Sequence, residues 1–375
     1  MKKLIILSCP IVILVCCFCM GYYFAVMDIR NVHHEYSVGS SMGLLLTETE
    51  KLKIVQSYSN PEEAKTELDT YSWDVPTVVT PFVGSAPKPG IHQNAVINSF
   101  QMRNENDPKS PKPKNRFRII LIGGSTAYSS GAPSQNKTIG SLLEKLLIDK
   151  THSDSSLEYE VFTLASPSWS TTHERIIVEN RLLDLEPDLV ISLSGNNDCH
   201  WGALGGNTLW FRNYADDYNF ELRKILFQKS FLPTEKDIVI PEKNKVDPEI
   251  VSDRLTYNVK LSSYALSLMN CNYFFILQPT LAVSKKQLND FESSRINEDW
   301  KEYFNKCYKL INEKLSVISI QNYKYFNATK VFDDLGANNQ IFLDMYHFGD
   351  KGNEIISNYI YCQIDDWVDK DKNWK

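Results

Sequence analysis

Positive charge is in short supply. Lys and Arg total 40 against 46 Asp and Glu, a net charge of −6 at pH 7. No general electrostatic pull toward nucleic acid or anionic lipid therefore operates, and a nucleic-acid partner is not expected. Cysteine is sparse beyond residue 19. Cys199, Cys271, Cys307 and Cys362 stand far apart, with no Cys-x-x-Cys and no Cys/His cluster of zinc spacing. A metal site is not expected on that pattern. No cofactor is expected. In an oxidising compartment the four thiols allow three disulfide pairings; four free thiols are the alternative. No internal repeat is visible. At 43% hydrophobic and 23% charged residues, the composition excludes a collagen-like, coiled-coil or wholly disordered chain.

Charge is also missing from residues 4–27, an apolar run softened only by Ser8, Pro10 and Gly21. At ~1.5 Å per residue such a run reaches about 36 Å, enough for ~30 Å of hydrocarbon. Lys2 and Lys3 precede it, so the expectation is a single-pass anchor, residues 1–27, with a cytoplasmic N-terminus and an extracytoplasmic body. A cleaved signal peptide, or lipidation at Cys9, are alternatives with the same outcome for the body.

Residues 28–114 read as a stalk and lead-in, with a helical patch around 47–58 and a solvated Pro/Lys loop at 106–114. From residue 115 the pattern changes. Short apolar, β-branched runs at 117–122, 159–164, 188–194, 273–277 and 323–326 alternate with helical spacing at 138–150, 171–185, 252–270, 296–316 and 351–367. This alternation predicts an α/β domain over 115–375. The expected form is a three-layer α/β/α sandwich around a mostly parallel, flavodoxin-like five-stranded sheet. Residues 199–250 are an aromatic-rich insertion, readable as core or as a lid or sugar-stacking platform.

Ligands of such sheets bind at the carboxyl ends of the strands. Three turns fall there. Gly123-Gly124-Ser125-Thr126 sets a serine at the sheet rim, where it is a nucleophile if a base reaches it. In Gly195-Asn196-Asn197-Asp198, a rigid Asn amide can donate to an oxyanion; an Asx turn is the plainer account. In Asp344-Met345-Tyr346-His347, a carboxylate three residues before a histidine can orient the imidazole as a base. His200 is read as an exposed loop residue that could line the site.

Together, in this order, the three turns resemble the SGNH (GDSL-type) hydrolases in the Gly-Gly-Ser-Thr form of membrane-associated members. They are similar to blocks I, III and V, over residues 115–367. The resemblance implies Ser125 as nucleophile, His347 as general base and acid, and Asp344 as the residue orienting His347. It also implies an oxyanion hole containing the Ser125 N–H and the Asn197 side chain. Block II departs from the family: Leu164 stands at its Asn position and Trp169 at its Gly position. A backbone N–H survives substitution, so Trp169 is expected as the third donor, its indole filling or shaping the pocket. Ser166 or Ser168 is the alternative donor.

The implied function is an extracytoplasmic serine esterase. Its substrate would be an acylated carbohydrate or another ester, acetyl esters of envelope or exported polysaccharide among them. An O-acyltransferase with the same triad and a non-catalytic envelope protein are the alternatives.

Overall fold

The computed structural model describes residues 48–67, 76–150, 157–205 and 244–370, together with Tyr22. These four stretches belong to one compact unit. The apolar run 4–27 lies, apart from Tyr22, outside the described residues, as do residues 206–243 of the aromatic insertion. Among the described residues no helix is long and apolar enough to cross a membrane.

In chain order, Glu48–Ile54 (α1) and Pro61–Glu67 (α2) come first. Two hairpins follow: Thr77–Thr80 with Gly84–Pro87 (β1, β2), and Gly90–His92 with Ala95–Ile97 (β3, β4). The alternating part runs Arg116–Gly123 (β5), Ser125–Tyr128 (α3), Ile139–Lys150 (α4), Glu158–Ala165 (β6), Thr171–Arg181 (α5) and Leu189–Ser194 (β7). It continues with Asn196–Ala203 (α6), Pro248–Ser267 (α7), Asn272–Leu277 (β8), Asp290–Ser293 (α8), Glu298–Ser316 (α9), Tyr323–Asn327 (β9) and Asp350–Lys370 (α10).

The main sheet is parallel throughout, with strand order β6-β5-β7-β8-β9. Counted along the chain this is 2-1-3-4-5, the flavodoxin-like order expected from the sequence. Ile119, Ile120, Leu121 and Ile122 have no exposed surface, and every residue of β7 is buried. Continuous apolar runs of this kind belong to strands covered on both faces. The covering helices fall into two groups, α4 with α10, and α5 and α6 with α7 and α9. α9 shows why they dock. Its buried residues Tyr303, Phe304, Cys307, Tyr308, Ile311 and Leu315 recur at helical spacing, and the Asn297 side chain caps its first turn by accepting from the Trp300 N–H.

Register positions the site. Gly123 of β5 pairs with Ala165 of β6 and Leu193 of β7. The three strands therefore end level, and their outgoing turns lie side by side. The winding reverses between β5 and β7, so the crevice of a doubly wound sheet opens above these ends.

The lead-in is not a stalk over residues 48–67 and 76–105, and the domain does not begin at 115. Ile54, Val55, Tyr58 and Ala64 form a buried cluster with Phe291 and Leu343. Arg103 is fully buried: its guanidinium donates to the Tyr128, Ser129 and Asn94 carbonyls and lies over the Tyr128 ring. A cation amid apolar side chains is tolerated because its N–H groups meet carbonyl oxygens. Two of the carbonyls it holds, those of Tyr128 and Ser129, end the turn that carries Ser125. Sequence patterning misses this arrangement because hairpin strands of three or four residues carry almost no periodic signal.

Candidate active site

β5 runs into Gly123 at φ +150, a conformation in which side chains are strained; a Cβ there would also meet the Leu193 carbonyl oxygen at 2.6 Å. At Gly124 the demand is space. A Cβ would sit 2.2 Å from Asn197 Nδ2, so this turn and the β7–α6 turn touch only because residue 124 lacks a side chain. Ser125 then opens α3. The first N–H groups of a helix have no intrahelical acceptor, and the Ser125 N–H, at the sheet rim, is one of them.

The three residues expected to form a triad meet. Ser125 Oγ lies 2.7 Å from His347 Nε2, and His347 Nδ1 lies 2.7 Å from Asp344 Oδ2. A carboxylate only accepts, so Nδ1 carries the hydrogen and Nε2 is left to accept from the serine hydroxyl. Asp344 Oδ1 accepts from the backbone N–H groups of Tyr346 at 2.7 Å and His347 at 2.8 Å. Burial alone would raise the Asp344 pKa. The adjacent imidazole and the two backbone donors outweigh it and hold the carboxyl below its usual value. The loop is fastened to β8's exit, where the Thr280 hydroxyl and the Leu281 N–H both donate to the Met345 carbonyl. Gln278, at the same exit, donates to the Thr126 hydroxyl beside the serine.

Asn197 lies in the first turn of α6; the expected Asx turn is a helix start. Its Nδ2 donates to the Trp169 carbonyl at 2.7 Å, which fixes the amide plane and leaves the second Nδ2 hydrogen for another acceptor. Asp198 reaches across to α5, accepting from the Thr171 hydroxyl at 2.6 Å and the Thr171 N–H at 3.1 Å.

Trp169 does not supply the expected third donor. Its N–H closes a turn onto the Ser166 carbonyl at 3.2 Å, and the Ser166 N–H is spent on Gly123. Nor does the indole shape the pocket. It is buried, stacks on His173, and donates through Nε1 to the Ser85 carbonyl of β2. Ser168, at φ 70, lines the cleft together with Pro167.

That cleft measures about 310 Å³ and opens over the triad; its walls include Pro167, Ser168, Asn197, His200, Trp201 and Tyr346. No Leu, Ile, Val, Met or Phe, and no Lys or Arg, lines it among the described residues. His200 is thus a wall residue on α6 rather than a loop residue. Trp210, Phe211, Tyr214, Tyr218, Phe220 and Phe227 of the insertion lie outside the described residues. Cys199, Cys271, Cys307 and Cys362 are all free thiols.

No family model and no curated protein matches the chain. Among solved structures, an acetyl xylan esterase aligns over 66% of this chain and 100% of its own, at 15% identity and TM-score 0.39. An acetylxylan esterase from Geobacillus stearothermophilus aligns over 66% and 94%, at 12% identity and TM-score 0.40. A putative GDSL-like lipase from Parabacteroides merdae aligns over 64% and 92%, at 14% identity and TM-score 0.38.

Two carboxyls near the site, Glu174 and Asp198, are buried, and the sequence singles out only Asp198. Glu174 of α5 accepts from the hydroxyls of Ser192 and Ser194 on β7. Burial raises its pKa to about 7 and that of Asp198 to about 6, against the lowering effect of their hydroxyl donors. Both groups therefore bind a proton more tightly folded than unfolded. The stability they contribute is complete below their ordinary values of 4.5 and 3.8, and is lost as pH rises through about 6 and about 7. Glu174→Gln is expected to flatten this fall. Urea unfolding should show wild type losing up to about 1.4 kcal/mol per pH unit per group across that window, and the variant correspondingly less.

Proposed function

We propose that the protein is a serine esterase that removes small acyl groups, acetyl among them, from acylated carbohydrate or a similarly polar alcohol. The observation that carries this reading is the chain of two 2.7 Å contacts from Ser125 Oγ through His347 to Asp344. Ser125 Oγ attacks the ester carbonyl carbon while its proton passes to His347 Nε2, and Asp344 stabilises the resulting imidazolium. The carbonyl oxygen, now an oxyanion, accepts from the Ser125 N–H and from Asn197 Nδ2. Collapse breaks the carbon–oxygen ester bond, and His347 returns the proton to the departing alcohol. Water, losing a proton to His347, then attacks the acyl-enzyme and releases the acid.

The cleft supports the substrate class. A long acyl chain needs an apolar wall to leave water. The described wall has hydroxyls, an amide and rings instead. The apolar run 4–27 supports a membrane anchor with the catalytic unit outside the cytoplasm, and hence a substrate in the envelope or among exported polysaccharides.

The test uses the purified protein with an acetylated oligosaccharide, with and without an added acetyl-free glycan. Free acetate should appear, and a fluorophosphonate should label Ser125 covalently. Acetate moving to the glycan without release would make the protein an acyltransferase. Well-folded protein that resists the label would end the catalytic reading.

A further inference from the structure

We propose that His200, Tyr346 and Trp201 form a carbohydrate subsite that holds the alcohol side of the ester beside the triad; this deepens the esterase reading and rests on it. His200 lies three residues after Asn197 on α6, and residues at that spacing share a helix face. Tyr346 lies between Asp344 and His347. The two side chains meet from opposite ends of the site, with His200 Nδ1 at 3.1 Å from the Tyr346 hydroxyl.

The rings around His200 fix its orientation. Trp201, Trp300 and Tyr346 contact it edge-on, with centroids at 5.7, 5.1 and 5.5 Å. Phe304 stacks behind Tyr346. Trp201 is held as well, through its Nε1 donating to the Ser168 carbonyl at 3.1 Å. Side chains locked this way lose little freedom when a ligand arrives.

The chemistry of the subsite follows from its protonation. Burial, then the nearby His347, push the His200 pKa down against a smaller opposing pull from Asp344. Burial keeps the Tyr346 hydroxyl protonated. A phenol donating to Nδ1 leaves the ring's hydrogen on Nε2. His200 is then a neutral N–H donor in a cleft whose described walls carry neither Lys nor Arg, while Asp344 carries negative charge. An anionic ligand would find no counter-charge there, and a lipid chain would find no aliphatic wall. A neutral, polyhydroxylated ring matches both features: an indole beside its C–H groups, and an imidazole N–H for a hydroxyl or ring oxygen.

Two variants and two measurements test this. His200→Phe keeps a ring and removes the donor; His200→Gln restores a donor near the Nε2 position. The first measurement compares kcat/KM for an acetylated methyl glycoside with that for an aryl acetate. In His200→Phe this ratio should fall about tenfold, chiefly through KM for the glycoside, the effect of losing one neutral hydrogen bond; His200→Gln should recover part of it. The second measurement needs no turnover. Calorimetric binding of the acetate-free methyl glycoside should weaken about tenfold in His200→Phe. An unchanged ratio, or equal losses on both esters, would overturn the proposal, the latter because it marks His200 as support for the triad alone. Wild-type protein that binds the glycoside but cleaves neither ester would sink the esterase reading and leave the subsite standing.

Discussion

Ser125→Ala is expected to lower kcat on an aryl acetate by about 10⁶-fold, and Asp344→Asn by about 10⁴-fold, with the fold retained in both. The serine change removes the hydroxyl that lies 2.7 Å from His347 Nε2, the group proposed to form the acyl bond. The asparagine change is subtler. Asp344 Oδ1 serves two backbone N–H groups, of Tyr346 and His347, while Oδ2 faces His347 Nδ1. An asparagine keeps its oxygen on the backbone pair, since its amide cannot accept from them. Its NH₂ then faces Nδ1 and donates to it, which moves the ring hydrogen to Nε2. The imidazole is left unable to take the serine proton, although no atom has shifted far. The double variant should be no slower than Ser125→Ala alone, because the two groups act as one unit. Steady-state rates for the three variants, with near-UV circular dichroism as the fold check, decide the matter. A Ser125→Ala protein that keeps even a hundredth of the activity would displace Ser125 from the chemistry.

The parts of the fold that were legible in the sequence share a cause. The strands expected at 117–122, 159–164, 188–194, 273–277 and 323–326 are Arg116–Gly123, Glu158–Ala165, Leu189–Ser194, Asn272–Leu277 and Tyr323–Asn327. The first four are apolar runs in a sheet covered on both faces, so burial is written into composition as well as spacing, while the edge strand Tyr323–Asn327 is mostly half-buried and rests on its aromatic residues. The triad was legible for a related reason. In a doubly wound sheet, function gathers at strand ends, and the turns there contain few residues from which to choose. What was missed depends on long-range polar contacts that no local pattern encodes. Trp169 was expected as a donor because a family position pointed to it, yet its N–H is taken by the Ser166 carbonyl, and the two residues between them, Pro167 and Ser168, line the cleft. Arg103 and Glu174 look like surface charges in the sequence; the Arg103 guanidinium reaches Tyr128 and Ser129, 25 and 26 residues on, and Glu174 reaches Ser192 and Ser194, 18 and 20 residues on. His200 was set aside as a loop residue because the helix beginning at Asn196 has little apolar periodicity of its own.

Glu292→Ala is expected to cost about 3–5 kcal/mol of stability, the range for breaking a buried ion pair from one side. Glu292 and Lys286 are both wholly buried, with Nζ and Oε2 2.7 Å apart. The other oxygen, Oε1, accepts from the N–H groups of Ile341 at 3.0 Å and Phe342 at 3.2 Å. Those residues lead directly into Asp344, so one carboxylate both neutralises an interior ammonium and satisfies the backbone that delivers the triad's acid. Alanine would strand the Lys286 charge and two backbone donors together. A second variant separates these contributions. Lys286→Met with Glu292→Met removes the charge problem and leaves the two N–H groups without their acceptor, so about 1–3 kcal/mol of the loss should remain. Urea midpoints at constant slope would give the two values. If the double variant proved no better than Glu292→Ala, the stranded charge would count for nothing, and the carboxylate's task would be to hold the backbone before Asp344.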